Sequence, residues 1–542
     1  MTPAADPRRA VSWPDLRAGA RFLRDLPGFL RHPLTVPVAE GILRARLERR
    51  AADFLDLARQ AIYGNPGSPY RALLEQVGCE YGDLRELVGR AGLEGALRAL
   101  ARAGVYLTVD EFKGRAPVVR GRATLPVDPG RLRHPRARAH AIARSSGSRG
   151  PGTPVPVDLR YVRDLGVNIC LTTAARGALG WRHATWTIPG SAALAAALSY
   201  SAFGAHWARW FSQVDAADPA LHPRYRWSTR VMRWGGWLAG VALPAPRYVP
   251  LGDPQPIVDW LDATRAAGAT PHLLTFPSAA LRVCAAARAA GRDLDGVQFM
   301  LGGEPITEAR LAVVAGAGAT ATVGYGTVET GPCGIGDACL AREMPDEVHV
   351  FEDLHAVVQA EATWTDPALP PGTLLATSLR PTAPLVLLNV SLGDRATVSR
   401  RGCGCPLDRL GWTTHLHTIR SHEKLTSAGM TFLDADVVHV LEEVLPARFG
   451  GGPTDYQLVE EEGEDGRPRL RLLVHPAIGP LDGDAVARTF LAAISRGSGA
   501  ERLMGQVWRD ANVLDVERAA PQATRAGKQL HLHVVRRGAA LP

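Results

Sequence analysis

The chain is organised around ten consecutive residues that are rich in glycine and in hydroxyl groups: Ser145-Ser146-Gly147-Ser148-Arg149-Gly150-Pro151-Gly152-Thr153-Pro154. They follow a basic segment, 131–144, and precede an amphipathic segment, 157–165. Glycines let backbone N–H groups converge on an anion, and the Ser and Thr hydroxyls add neutral donors. The ten residues therefore suit a polyphosphate, although a flexible Gly/Ser linker has a similar composition.

Two apolar runs downstream end in glycines and polar residues. Residues 297–301 precede Gly302-Gly303-Glu304-Pro305, and residues 321–323 precede Gly324-Tyr325-Gly326-Thr327-Val328-Glu329. Ligands of open α/β sheets bind beyond the carboxyl ends of the strands, so both segments are candidate binding edges. Tyr325 could stack on a base, and Glu329 could hold a metal ion on phosphate. Core packing of Tyr325 and helix capping by Glu329 are the alternatives.

A third apolar run, 384–390, precedes Asp394. We expect this run to form a strand with Asp394 at its end, where a carboxylate can accept hydrogen bonds from both hydroxyls of a ribose. The polar segment 420–424 is expected to form an exposed connector.

The spacing of apolar residues predicts an α/β fold in three parts. Residues 1–135 are predicted to form a mostly helical N-terminal extension packed on the core. Residues 136–420 alternate short apolar runs with helical patterns, as a large multi-layer α/β core domain does. Residues 421–542 are predicted to form a small α+β C-terminal domain.

Composition excludes some classes of protein. The net charge of +8 is modest for 542 residues and is spread along the chain, so nucleic acid is not an expected partner. The sequence contains no run of 18 or more apolar residues, so no membrane span is predicted. The first residues lack the apolar core of a signal peptide, so a cytoplasmic location is expected.

Lysine is rare in this sequence. Of 62 basic residues, only Lys113, Lys424 and Lys528 are lysines. A position that keeps Lys where Arg is the rule is a candidate for a role that needs a compact ammonium group. Chance survival is the alternative for each of the three.

The seven cysteines do not predict a disulfide framework, because their number is odd and the chain is large. Four of them lie between residues 333 and 405, which points to a metal site or to coincidence.

Taken together and in this order, the motifs resemble those of the adenylate-forming superfamily of acyl-CoA synthetases. More narrowly, they are similar to the phenylacetate–CoA ligase branch and its relatives in antibiotic pathways, including the phenazine-antibiotic biosynthesis proteins. The resemblance covers residues from about 140 to the C-terminus. It implies an adenylation core followed by a mobile C-terminal lid.

The resemblance also implies a role for each motif. The ATP phosphates would be held by Ser145, Ser146, Gly147, Ser148, Arg149 and Gly150. The adenine would be lined by Gly303, Glu304, Pro305, Tyr325 and Gly326. Glu329 would bind Mg²⁺, and Asp394 and Arg420 would hold the ribose. His422 would occupy the hinge of the lid, and Lys528 would reach the acyl phosphate, where an ammonium neutralises charge in the transition state.

A structural Zn²⁺ is implied as well, with the ligands Cys339, His349, Cys403 and Cys405. Three thiolates and one imidazole suit a closed tetrahedral site. Four unrelated residues are the alternative.

Three positions depart from the motifs of the superfamily. Pro151 stands where the phosphate loop usually carries Lys, with Arg149 as the nearest substitute, and Val328 stands where Thr is usual. His422 replaces the usual acid of the hinge.

Three functions follow as hypotheses. The first is ATP-dependent activation of an aryl or acyl carboxylic acid to an acyl-adenylate, with transfer of the acyl group to CoA. The second has the same first step and another acceptor: an amine, a carrier protein, or nitrite as in diazotases. The third is a non-catalytic module that binds a nucleotide or an acid. A monomer or a homodimer is expected, without a membrane partner.

Overall fold

The structure is a computed structural model, and it describes residues 13–125, 127–144, 154–188, 190–215, 223–336, 344–364, 369–421, 426–427, 430–431, 434–462, 468–494, 514–524 and 527–535. Within these ranges, no helix is both long enough and apolar enough to cross a membrane.

The N-terminal segment is built mainly of helices. They are α1 (Trp13–Arg31), α2 (Val36–Glu48), α3 (Arg50–Leu57), α4 (Pro69–Gln76), α5 (Tyr81–Arg102) and α6 (Val109–Phe112). Apolar residues at helical spacing explain them, since Leu84, Val88 and Leu97 all face the core from α5. A short hairpin of β1 (Val118–Arg120) and β2 (Ala123–Leu125) follows.

A second antiparallel pair, β3 (Ala141–Arg144) and β4 (Pro154–Val157), flanks the Ser/Gly segment on both sides. Ala141 pairs with Val157, and Arg144 pairs with Pro154. The two ends of the Ser/Gly segment are therefore held next to each other.

The core domain contains a large mixed sheet. Its strands are β5 (Arg182–Thr187), β6 (Arg209–Ser212), β7 (Pro246–Tyr248), β8 (Pro271–Thr275), β9 (Gln298–Gly302), β10 (Thr320–Thr327), β11 (Gly331–Ile335), β12 (Val348–Val350), β13 (His355–Gln359), β14 (Thr373–Ser378), β15 (Val390–Arg400) and β16 (Thr414–Ser421). Their spatial order is β13-β14-β15-β16-β12-β11-β10-β9-β8-β5-β6-β7. The helices are α7 (Leu159–Ala175), α8 (Ser191–Ser201), α9 (Pro223–Leu238), α10 (Gln255–Ala266), α11 (Pro277–Ala289), α12 (Glu308–Gly316) and α13 (Pro406–Arg409).

Strands β10, β9, β8, β5, β6 and β7 run parallel to one another, which brings their carboxyl ends to one edge. Gly302 at the end of β9 lies opposite Gly324 in β10. The Gly-Gly-Glu and Tyr-Gly segments therefore lie at the same edge of the sheet, and the prediction of an α/β fold class is confirmed.

Two local predictions are wrong. The run 384–388 is not a strand: Asn389 has φ 49°, in the left-handed region, and β15 begins only at Val390, so Asp394 lies inside the strand rather than at its end. Arg420 is not in an exposed connector, because it belongs to β16 and its side chain is 10% exposed. Sheet pairing with β15 overrides the polar character of this segment.

Asn389 joins the N-terminal segment to the core sheet. Its Nδ2 donates to the carbonyls of Leu97 at 2.9 Å and Val105 at 3.1 Å, and its side chain is fully buried. The backbone N–H of Leu107 donates to the carbonyl of Asn389 at 3.1 Å. Phe54, Leu97 and other buried residues of α1–α6 share one apolar cluster with the core domain.

The C-terminal part has its own sheet and core. Two short strands, β17 (Thr426–Ser427) and β18 (Met430–Thr431), precede helices α14 (Asp434–His439) and α15 (Leu445–Phe449). The remaining elements are β19 (Tyr456–Glu462), β20 (Pro468–Val474), α16 (Gly483–Ile494), β21 (Leu514–Glu517) and β22 (Leu532–Val535). The last four strands form a sheet in the order β21-β20-β19-β22, covered by a separate apolar cluster.

Buried charges link this C-terminal part to the core domain. Arg310 of α12 donates from Nε to Glu442 Oε1 at 2.7 Å, and His531 Nε2 lies 2.6 Å from the same oxygen. Thr307 also donates to Glu442. Burial alone would raise the pKa of Glu442, but the charge of Arg310 and the hydrogen bond with His531 hold it at about 2. Glu442 is therefore an ionised partner of Arg310 at neutral pH.

Replacing Asn389 tests its role as a joint. Asn389→Ala removes the donor of two buried carbonyls and places a Cβ-bearing residue without a polar side chain at a positive φ. We expect a loss of about 2–4 kcal/mol in the free energy of unfolding, measured by chemical denaturation. Asn389→Gly loses the same donor without the backbone strain, so it should be less destabilised. An alanine variant within about 0.5 kcal/mol of the parent, the usual range of surface substitutions, would contradict this account.

The Glu442 pair predicts a pH-dependent contribution to stability. Because the pKa of Glu442 is depressed from 4.5 to about 2, its contribution is complete above pH 4.5 and is lost as the pH falls towards 2. Glu442→Gln should cost about 3 kcal/mol at pH 7, because it breaks a buried ion pair. The difference from the parent should shrink below pH 4.5 in denaturation curves. The control is Glu443→Gln, since Glu443 is exposed; a similar loss in that variant would refute the prediction.

Candidate functional site

A polar cavity of about 220 Å³ lies at the carboxyl ends of β9 and β10, between the core domain and the C-terminal part. The charged residues that line it are Lys113, Glu304, Glu329, Asp346, Asp394, Arg420 and Lys528. Gly303, Pro305, Tyr325 and Gly326 also line it. The structure thus brings together every predicted nucleotide-site residue that it describes.

Several predicted residues lie outside the described ranges. They are Ser145, Ser146, Gly147, Ser148, Arg149 and Gly150 of the Ser/Gly segment, His422 of the expected hinge, and Cys339 of the expected zinc set. Their roles stay predictions.

Tyr325 and Asp394 form a pair on one wall of the polar cavity. The Tyr325 hydroxyl donates to Asp394 Oδ2 at 3.0 Å. Burial, together with the nearby Asp394 carboxylate, raises the pKa of Tyr325 well above its usual value, so the phenol stays protonated. The hydrogen bond fixes the orientation of the tyrosine ring against the Asp394 carboxylate.

Glu329 follows the carboxyl end of β10 and is 6% exposed. Among the residues that the structure describes, its carboxylate has no hydrogen-bond or ion-pair partner. Buried carboxylates are normally paired or coordinate a cation. Carboxylate oxygen is also the ligand type that Mg²⁺ prefers. The residue therefore fits a divalent cation.

The side chain of Glu304 makes structural contacts that the sequence did not predict. Its carboxylate accepts hydrogen bonds from Ser278 N at 2.9 Å and Ser278 Oγ at 2.8 Å. Arg310 Nη1 lies 3.1 Å from Oε2, and the backbone N–H of Gln529 donates to Oε1 at 2.7 Å. With these partners in place, the side chain of Glu304 holds protein segments together beneath the cavity.

Arg420 is positioned by Asp346, a residue that the sequence analysis missed. Arg420 Nη1 lies 2.8 Å from Asp346 Oδ2, and the backbone N–H groups of Thr418 and Ile419 donate to the same carboxylate at 2.9 and 2.7 Å. The Nε of Arg420 is buried and lacks a hydrogen-bond partner within the described ranges. Asp346 lies in no sequence motif, and only the pairing of strands in the sheet brings it next to Arg420. The contact could therefore not be predicted from the sequence.

Lys528 follows a glycine, Gly527, that lies against the core domain. Gly527 has φ +70°, a conformation that favours glycine, and a Cβ there would lie 1.8 Å from Gln213 Oε1, so a side chain would be strained and would force Gln213 to shift. The Lys528 Nζ lies 5.6 Å from the centre of the Phe276 ring. Gly303, with φ +81°, lies beside both groups, since a Cβ there would lie 3.1 Å from Phe276 Cε1 and 3.4 Å from Lys528 Cε.

A second cavity of about 350 Å³ adjoins the first, and Lys528, Tyr325 and Gly303 line both. The walls of the second cavity are mainly apolar, with Val155, Leu165, Met300 and Phe351 among them. The described residues that line it include two charged ones: Lys528, and Asp158, which is paired with Arg160 at 2.6 Å.

One face of α8 forms a long wall of this apolar cavity. Its small residues Ala192, Ala195, Ala196 and Ser199 lead to Tyr200, a distance of about 12 Å at 1.5 Å per residue. The Tyr200 ring packs against His183 at 4.8 Å between centres, and its hydroxyl has no hydrogen-bond partner within the described residues. The wall along α8 is therefore about 12 Å long, and the Tyr200 phenol lies at one end of that wall.

A Cys/His cluster lies apart from both cavities. His349 Nε2 is 3.3 Å from Cys405 Sγ and 3.6 Å from Cys403 Sγ, while its Nδ1 donates to the carbonyl of Trp412 at 2.6 Å. Three of the four predicted zinc ligands thus lie together. His415, which the sequence analysis missed, also lies within 4.8 Å of the His349 and Cys403 ligand atoms.

No model of a known protein family matches the chain, and no curated protein matches it. Solved structures do. The structure of 2-hydroxyisobutyryl-CoA ligase in the postadenylation state with 2-HIB-AMP is 15% identical, covers 90% of this chain and 89% of its own, and has a TM-score of 0.53. The same ligase with R3-HIB-AMP is 15% identical, covers 90% and 88%, and has a TM-score of 0.49.

O-succinylbenzoate coenzyme A synthetase (MenE) from Bacillus subtilis, in complex with ATP and a magnesium ion, is 11% identical. It covers 72% of this chain and 69% of its own, with a TM-score of 0.44. At these identities the likeness concerns the fold. The chain has the fold of the adenylate-forming enzymes.

Proposed function

We propose that this protein activates a carboxylic acid with ATP, forming an acyl-adenylate and pyrophosphate. The observation that carries the proposal is the place of Lys528, which lines both the polar and the apolar cavity. A polar site for a nucleotide and an apolar site for an acid would then meet at one ammonium group. A module that only binds a ligand has no need of that group.

The polar cavity supplies groups for a nucleotide. Tyr325 offers a ring for the adenine, and Asp394 and Arg420 offer an acceptor and donors for the ribose. Glu329 would hold Mg²⁺, which supplies charge neutralisation on the phosphates. The Ser/Gly segment 145–150 would contribute backbone donors to the phosphates.

The apolar cavity supports an acid whose body is uncharged. Asp158 is paired with Arg160, so among the described lining residues other than Lys528 the cavity offers no unpaired charge for a second ionic group on the substrate. Its length of about 12 Å along α8 suits an aryl acid or an acyl chain of medium length.

The chemistry follows from the meeting of the two cavities. A carboxylate oxygen of the acid attacks the α-phosphorus of ATP, a new O–P bond forms, and pyrophosphate leaves with the electrons of the broken anhydride bond. Lys528 stabilises the negative charge that builds between the carboxylate and the phosphate. Binding both substrates in adjoining cavities makes the attack effectively unimolecular.

In the second step, the thiol sulfur of CoA attacks the acyl carbon, and AMP leaves. We propose that the C-terminal part rotates near residues 421–424 and withdraws Lys528 before this step. The assay described below also shows whether the acceptor is instead an amine, a carrier protein or nitrite.

We also propose a structural Zn²⁺ at the Cys/His cluster. Zn–S and Zn–N bonds of about 2.3 and 2.0 Å place tetrahedral ligands about 3.5 Å apart, which the distances from His349 to Cys403 and Cys405 match. The hydrogen bond from His349 Nδ1 to Trp412 orients the ring for metal binding. This cluster favours the phenylacetate–CoA ligase-like branch with its antibiotic-pathway relatives.

Hydroxylamine trapping and pyrophosphate release with a panel of aryl and fatty acids test the activity. Lys528→Ala should lower adenylation by about 10²–10³-fold, because it removes one charge-stabilising donor. ATP binding by this variant should remain near that of the parent. The control is Arg518→Ala, which removes an exposed arginine of the same C-terminal part. Parental turnover by Lys528→Ala would refute the role of the lysine.

CoA dependence is read in the same assay. An acyl-CoA product that forms only with CoA supports the first acceptor. Pyrophosphate release that does not respond to CoA points to another acceptor, and no release with any acid contradicts the proposal.

Elemental analysis should find about one zinc ion per chain. Cys403→Ser and Cys405→Ser should each lose the metal, whereas Cys79→Ser, a cysteine outside the cluster, should keep it. His415→Ala shows whether His415 is a ligand. A metal-free parent protein would remove the site.

A further inference from the structure

Lys113 lines the polar cavity although it belongs to the N-terminal segment. It is the residue directly after α6, and its side chain is half-buried. The resemblance to adenylate-forming enzymes gave no role to this part of the chain. The polar cavity therefore contains a cation that no sequence motif identified.

The position of Lys113 is fixed by its own helix. Thr108 and Glu111 form a reciprocal capping box at the start of α6, and Phe112 is fully buried. Just before the helix, Leu107 pairs with Val390 at the start of β15, the strand that carries Asp394. These contacts fix the backbone at Lys113 beside the cavity.

The acids next to Lys113 are already paired with arginines. Asp110 accepts from Arg115 Nη1 at 3.1 Å, and Glu111 accepts from Arg120 Nη1 at 2.7 Å. Within the part of the chain that the structure describes, the Lys113 ammonium has neither a hydrogen-bond nor an ion-pair partner. The ammonium at the wall of the cavity is thus not engaged in a direct contact with a carboxylate of the described residues.

The other cations of the cavity are placed differently. Arg420 is bound by Asp346, and Lys528 lies at the junction with the apolar cavity. Lys113 and Lys528 are two of the three lysines among 62 basic residues. In addition, Pro151 occupies the place of the expected lysine in the Ser/Gly segment. The Ser/Gly segment therefore lacks the compact ammonium group that suits a phosphate, whereas Lys113 supplies such a group at the wall of the polar cavity.

We propose that Lys113 binds a phosphate oxygen of the nucleoside triphosphate, so that the N-terminal segment completes the nucleotide site. This inference rests on the proposed function. The ligand chemistry is the polyphosphate rather than the base or the sugar, because an unpaired ammonium gains most from a concentrated anionic charge.

The test compares the binding of MgATP and adenosine by calorimetry. Lys113→Met keeps much of the alkyl stem and removes the charge. It should weaken MgATP binding by about ten-fold or more, because a charge-assisted hydrogen bond is lost, and leave adenosine binding unchanged. Arg115→Ala is the control, since Arg115 lies two residues away and pairs with Asp110. It should bind both ligands as the parent does.

Each outcome has a distinct meaning. Equal MgATP binding by the parent and Lys113→Met overturns the inference and leaves the proposed function intact. Equal weakening of MgATP and adenosine also overturns it, because it would indicate a structural role. A parent protein that binds neither ligand contradicts the proposed function itself.

Discussion

The carboxylate of Glu304 is the constraint on which the site depends. It is buried at the end of the Gly-Gly-Glu segment, and it binds Ser278 on one side and the backbone N–H of Gln529 on the other. Burying this carboxylate without these donors would cost free energy. The hydrogen bonds therefore hold the C-terminal part in a fixed position on the core domain. Lys528, the neighbour of Gln529, is thereby delivered to the junction of the two cavities.

The Arg310–Glu442 pair strengthens the same junction. Arg310 contacts Glu304 and Glu442 at once, and His531 adds a contact from β22. These groups are almost fully buried, so their attraction is weakly screened. A rotation of the C-terminal part would expose them to water, and hydration would then offset much of the lost attraction. These contacts can therefore stabilise the present arrangement of the core domain and the C-terminal part and still allow a second arrangement.

The polar cavity draws on distant parts of the chain. The core sheet contributes Tyr325 and Asp394, the C-terminal part contributes Lys528, and the N-terminal segment contributes Lys113. The apolar cavity is more local, since α7, α8 and the ends of β9 and β10 form most of it. In this proposal, nucleotide binding depends on the packing of all three parts, whereas the shape of the acid site depends mainly on α8.

The sequence by itself determined the α/β fold class and the two apolar runs, β9 and β10 in the structure, that end in glycines and polar residues, because these features follow from local periodicity and motif order. It also brought His349, Cys403 and Cys405 into one set. Tertiary structure alone decided that Asp394 lies within β15, that Asp346 holds Arg420, and that His415 joins the cysteines. The rarity of lysine marked Lys113 as a candidate, but its place at the wall of the polar cavity belongs to this second group. These contacts join residues far apart in the chain, and they arise from strand register and helix packing, which no local pattern of residues encodes.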